Sequence, residues 1–211
     1  MTNFGEKWFE AREIDGRLCH HVSKFLREEF AVSPDFIRTR WRAWSRKKKG
    51  LFAAAFAARP KLSDSDRDVL EFLVVNGDDE IWSLIAQLVA REQPDRDRAL
   101  KFLLSRVVEG ASPLANYYQA LDMLGAQECV PYLKDALIKH RHEVAGHPSL
   151  KWWRLWRDRL VYMDYLYCSA TLFKLTREEE YRGNLKAMLE HRDEPVRMMV
   201  RTVAMSSGIT V

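Results

Sequence analysis

Apolar residues return every three or four positions along most of this chain, and glycine, proline or an acidic cap interrupts them before any run grows long. No other feature constrains the fold as tightly. A period near 3.6 lines up side chains on one stripe of a helix, whereas a half-buried strand needs strict alternation. Alternation of that kind is scarce here, and glycine and proline number only nine and seven. The chain therefore reads as all-α, built of short helices that must bury their stripes against one another.

Local chemistry sets the boundaries. Trp8, Ile14, Leu18, Val22, Phe25 and Phe30 space a first helix over 6–30. Ser33-Pro34-Asp35 opens a second, expected to run to Lys48 and to stop at Gly50. An alanine-rich helix over 51–58 should end at Arg59-Pro60, because a residue before proline is pushed out of the helical region. Ser63 and Asp66 make a capping pair ahead of Val69, Leu70 and Leu73. Asn76-Gly77 predicts a left-handed stop, and Asp78-Asp79-Glu80 starts the next helix with negative charge at its positive dipole end. Further helices are predicted over 95–108, 113–124, 127–139, 150–175, 178–190 and 194–206. A connector is expected over 141–148, and Asp193 is the expected cap of the last helix.

Two stretches share a rhythm. Ala120 to Leu137 and Ala170 to Leu189 each join a small-plus-apolar helix ending in leucine to a second helix through a short polar turn. Arg91 to Leu104 is a looser copy, and Asp193-Glu194-Pro195-Val196-Arg197 opens a further one. These blocks resemble the HEAT repeat family over roughly residues 63 to 211. The resemblance implies a short right-handed α-solenoid of helical hairpins, stacked because no hairpin buries its stripe alone. It also implies a concave face that takes a macromolecular partner. The expected organisation is one all-α domain over 1–211, with less typical helices over 1–62 and HEAT-like hairpins over 63–211.

A net charge of +4 hides its distribution. Between Phe36 and Lys61 lie Arg38, Arg40, Arg42, Arg46, Lys47, Lys48, Lys49, Arg59 and Lys61, with no acid among them. The remainder is mildly acidic. On a helix Arg38, Arg42 and Arg46 would form a basic ridge, with Ile37, Trp41 and Trp44 turned the other way into the core. Such a ridge is either a solvated face or a phosphate-contacting surface. The second unusual cluster is Trp152, Trp153, Trp156, Arg157 and Asp158. It is either a packed helix end with cation–π contacts or a base-stacking site. In composition and architecture it resembles HEAT-like DNA alkylation-repair glycosylases, whose tryptophans and aspartate line a basic cleft.

Ordinary catalytic signatures are missing. There is no glycine-rich phosphate loop, nucleophile elbow or zincin pattern. His140, His142 and His147 have metal-like spacing, but no cysteine or second histidine pair flanks them, so no metal and no cofactor is expected. The repeated His-Glu pairs of deoxyhypusine hydroxylase, a HEAT-like di-iron enzyme, are represented here by His142-Glu143 alone. Cys19, Cys129 and Cys168 are too dispersed for a disulfide framework and read as buried thiols in a reducing compartment. No secretory signal and no membrane-length apolar run is visible, which points to the cytoplasm. Two readings result: a non-enzymatic scaffold with a protein partner on its concave face, or a nucleic-acid binder using residues 38–49 and 152–159, with glycosylase-like chemistry as its extreme form.

Overall fold

The computed structural model describes residues 33–110, 113–147, 149–150 and 155–211. Among these there are ten α-helices and no strand. No described helix is long and apolar enough to cross a membrane. The helix expected over 6–30 lies outside the described residues, as do Cys19, Trp152 and Trp153. The chain divides after Pro94 into two units.

The first unit contains α1 (Pro34–Arg40), α2 (Arg46–Ala57), α3 (Asp64–Asn76) and α4 (Asp79–Glu92). The single helix expected from Pro34 to Lys48 is in fact two. A 3-10 turn at Trp41–Ala43 follows α1, and Ser45 is extended, its hydroxyl accepting from Lys48 N at 3.3 Å. That N-cap starts α2 and carries it straight through Gly50, since an interior glycine costs only about 1 kcal/mol. The break turns Trp41 and Trp44 inward together, 5.9 Å apart, and Phe52 lies 6.5 and 5.6 Å from them. The Trp41 indole donates to Asn76 O at 3.3 Å. Helix α2 packs on α4, and α1 on α3.

Two details of α3 separate expectation from outcome. Its start is the expected capping box: Ser63 Oγ accepts from Asp66 N, and Asp66 Oδ2 accepts from Ser63 N. Its end is not left-handed, for Gly77 has φ −72° and ψ 170°. Glycine is required there for space. The Trp82 indole donates to Val74 O at 3.1 Å, and a Cβ on residue 77 would sit 2.8 Å from that nitrogen.

The second unit contains α5 (Arg96–Glu109), α6 (Ala115–Leu124), α7 (Val130–Gly146), α8 (Leu155–Thr176), α9 (Glu179–Leu189) and α10 (Glu194–Ser207). Helix α5 packs on α6 and α7, while α8 packs on α6, α7, α9 and α10. Ion pairs from Lys134 to Glu178 and from Arg141 to Glu180 join α7 to the start of α9. The helices thus sort into two layers, α5, α7 and α9 in one and α6, α8 and α10 in the other. Gly110 and Gly125 end α5 and α6 with φ 70° and 58°, where a side chain would be strained.

Two local expectations change here, and one helix start is met from a distance. The connector over 141–148 is mostly helix, because nothing from Arg141 to Ala145 interrupts α7. Helix α6 has no cap of its own. Its first amides, Leu114 N and Ala115 N, donate to Asp164 of α8 at 2.9 and 2.8 Å. Conversely, Asp193 stands at the N-cap position of α10 but its carboxylate accepts from Leu150 N at 2.7 Å instead.

Candidate interaction site

Helix α5 carries a wider apolar arc than one contact face needs. Ala99, Leu103 and Val107 are buried. Leu100, Leu104 and Val108, each one position on, form a second ridge at i, i+4 and i+8, and Val108 is 66% exposed. Across from this ridge, α7 presents Tyr132, 47% exposed, and Ala136. Between the two helices lies a trough. Its open part holds about 600 Å³ over Leu100, Leu104 and Tyr132, and its deeper end about 320 Å³ against Leu114, Ala136 and His140. The apolar ridge is about 12 Å long at the helical rise of 1.5 Å per residue.

The ends of the trough fix the direction of its walls. Arg96, opening α5, makes two hydrogen bonds to Glu128, just before α7, at 3.1 and 3.3 Å. That bond raises the Arg96 pKa and lowers that of Glu128. At the other end a Cβ on Gly110 would lie 3.2 Å from the Lys139 ammonium. The two helices therefore run in the same direction. On each wall an acid precedes a base by four residues: Asp97 and Lys101 on α5, Asp135 and Lys139 on α7.

The inner end rests on a buried polar chain. Glu143 Oε2 lies 2.9 Å from His140 Nδ1, and Tyr118 Oη lies 2.6 Å from His140 Nε2. A carboxylate only accepts, so Nδ1 holds the proton and Nε2 accepts from the tyrosine hydroxyl. Burial lowers the His140 pKa against the pull of Glu143, and burial raises that of Tyr118. The order of groups resembles a nucleophile, base and orienting acid, but Tyr118 is fully buried and both ring nitrogens of His140 are occupied. Neither nitrogen of that imidazole is left to meet a substrate. Beside the chain, burial holds Asp164 up to about 7 despite its two backbone amides.

His140 and His142 sit two apart on one helix, so the first is buried and the second exposed. They do not converge on an ion. His147 lies in a different network, with Nδ1 donating to Glu143 O at 2.7 Å and Nε2 3.9 Å from Asp158. Asp158, expected in a binding cluster, is 1% exposed. Trp156 and Arg157 lie on α8, and their side chains, like Trp152 and Trp153, fall outside what is described.

The basic segment belongs to the first unit. Arg38, Arg40, Arg42, Arg46 and Lys47 are exposed. The window's charge is smaller at the surface than in the sequence. Arg38 pairs with Asp35, Arg46 with Glu80 at 2.6 Å, and Arg59 is buried against Asp66 and over the Phe56 ring. Lys48 and Lys49 lie half-buried over Trp44 and Trp41, at 5.7 and 5.3 Å. The expected continuous ridge is also cut by the turn at Trp41–Ala43. Sequence reasoning missed the trough. The available signal was the doubled arc of α5, three apolar pairs at 99–100, 103–104 and 107–108 where one residue of each suffices.

Fold and site define an all-α protein whose second unit holds an apolar trough between parallel helices. Comparison with protein-family models, curated proteins and solved structures finds no match.

Proposed function

We propose that this protein is a non-enzymatic interaction scaffold, a HEAT-like array that binds a protein partner on a concave face, with α5, α7 and α9 as the partner-facing layer. One observation carries this reading. The trough between α5 and α7 exposes a contiguous apolar strip rimmed by charges, and such strips on soluble chains mark interaction sites. Packing of α5 on α7, α6 on α8 and α8 on α10, with ion pairs from α7 to the start of α9, supports the HEAT-like family. Buried free thiols at Cys129 and Cys168 support a reducing, cytoplasmic setting. Burial raises both thiol pKa values, that of Cys129 to about 12, which keeps these groups inert. The test is affinity capture with the full chain beside its Val108→Glu variant. Specific partners lost with the variant are expected; identical protein sets from both baits would defeat the reading.

A second reading rests on a separate observation. Arg40, Arg42 and Lys47 are exposed in a segment with no acid of its own, as contacts to phosphates require. Glycosylase-like chemistry would need the 152–159 cluster as well. Titration against duplex DNA and RNA at low and moderate salt tests this, and binding that is absent or salt-independent rules it out.

A further inference from the structure

We infer that the occupant of the α5/α7 trough is an amphipathic α-helix of a protein partner, lying antiparallel to both walls, with an acidic residue four positions before a basic one on each flank. The inference rests on the scaffold reading and specifies the partner's chemistry.

Shape is the first ground. Leu100, Leu104 and Val108 form an i±4 ridge, and Tyr132 and Ala136 continue the same spacing on α7. Ridges of this kind accept the ridge of another helix between them. A peptide helix placed there would seat residues at i, i+4 and i+7 or i+8, the spacing by which helices occupy grooves.

Charge order is the second ground, and it fixes direction. Since the walls are parallel, the trough reads from the Arg96 end as Asp97, Lys101, Asp135 and Lys139, alternating in sign, while Glu109, which also lines it, is paired with Arg106. An antiparallel helix enters at Lys139. On the α7 flank it meets Lys139 and then Asp135, so it needs an acid and then a base four residues on. On the α5 flank it meets Lys101 and then Asp97, and needs the same order. Acid before base at i, i+4 is also the order that stabilises an isolated helix. A parallel helix would need the reverse, less stable order and would align its dipole with both walls. The same alternation disfavours a polyanion, because Asp97 and Asp135 oppose phosphates along the strip.

The experiment selects a phage-displayed library of random 16-residue peptides on the full chain, with subtraction on Val108→Glu. Residue 108 is exposed, so that variant folds, and circular dichroism checks it. Enriched peptides are expected to carry apolar residues at i, i+4 and i+7 or i+8 with acid-then-base flanks. Synthetic copies should gain helicity on binding and lose at least tenfold in affinity against Val108→Glu. The double variant Asp135→Lys with Lys139→Asp should prefer peptides whose α7 flank is reversed. No enrichment, enrichment without helical period, or binding indifferent to Val108→Glu would overturn the inference; indifference to charge order would overturn the antiparallel placement. A dimer in solution abolished by Val108→Glu would assign the trough to a second copy and overturn it too, as would nucleic-acid binding lost with that variant. Capture of partners through residue 108 together with a failed selection would leave the scaffold reading standing and remove only the helical occupant.

Discussion

Helix α7 forms one seam with α5 and another with α9, and the two are built differently. Across the α7/α9 seam, Lys134 meets Glu178, Arg141 meets Glu180, and the Lys134 ammonium also lies 5.9 Å over the Tyr181 ring. The α5/α7 seam is crossed, among the described residues, by Arg96–Glu128 at one end, and then opens over apolar side chains. The α7/α9 seam is thus bridged by its own charges, with a cavity of about 350 Å³ beside Leu137 and Ile138, whereas the charges of the α5/α7 seam flank an apolar strip. The difference shows that helix stacking alone does not make a binding site. What sets the α5/α7 seam apart is an apolar arc on α5 wider than its neighbours cover.

The largest expected effect probes what holds the open seam's inner end. His140→Ala removes a buried ring that satisfies Tyr118 and Glu143 and enlarges the cavity beneath the trough. It should destabilise by about 3 kcal/mol, read by denaturant unfolding, whereas His142→Ala, exposed on the other side of α7, should stay within about 0.5 kcal/mol. An equal, small change in both would refute the structural role given to His140.

Next is the seam contrast itself. Val108→Glu should weaken binding of a selected peptide at least tenfold, about 1.4 kcal/mol, while Ile138→Glu, exposed beside the α7/α9 seam, should leave it unchanged. Equal losses in fluorescence anisotropy would erase the distinction between the seams.

A pH effect of intermediate size comes from Asp164, which caps α6 next to Leu114 of the trough. Burial raises its folded pKa to about 7, above the ordinary 3.8. Between those values the folded state binds the extra proton, so this group's contribution to stability falls as pH rises from about 4 to about 7 and stays lost above. Asparagine keeps an oxygen for both amides without titrating. Asp164→Asn should therefore gain stability relative to the parent chain at pH 8 and show little gain at pH 4. Thermal melts giving a pH-independent difference would contradict this account.

The smallest effect belongs to the α7/α9 seam. Glu180→Gln removes the partner of Arg141 at an exposed site and should cost under about 1 kcal/mol, less in high salt. A large loss would mean that the α7/α9 seam is held chiefly by charge.

Much of the fold was legible in the residues. The Ser63–Asp66 box and the acidic helix start at Asp78-Asp79-Glu80 are short-range chemistry and appear as read. Misreadings arose where a distant group intervened. Gly77 is glycine because the Leu73 carbonyl and the Trp82 indole leave no room for a Cβ, not because its backbone is left-handed. Asp193 looked like a cap until Leu150 N took its carboxylate, and the α6 amides are met by Asp164 across 49 residues, which no local pattern announced. The basic window reads as nine cations with no acid among them, yet Asp35, Glu80 and Asp66 answer three of them.

By itself, then, the sequence determined that the chain is helical, where most helices start and stop, and which residues line each buried stripe. Periodicity and capping act within about one turn, so they are readable from neighbours. Only the tertiary structure decided which flank of the α5 arc is covered, that α5 and α7 run in the same direction, and that His140 is tied on both sides. Those outcomes depend on groups far apart in the chain, and no local spacing encodes them.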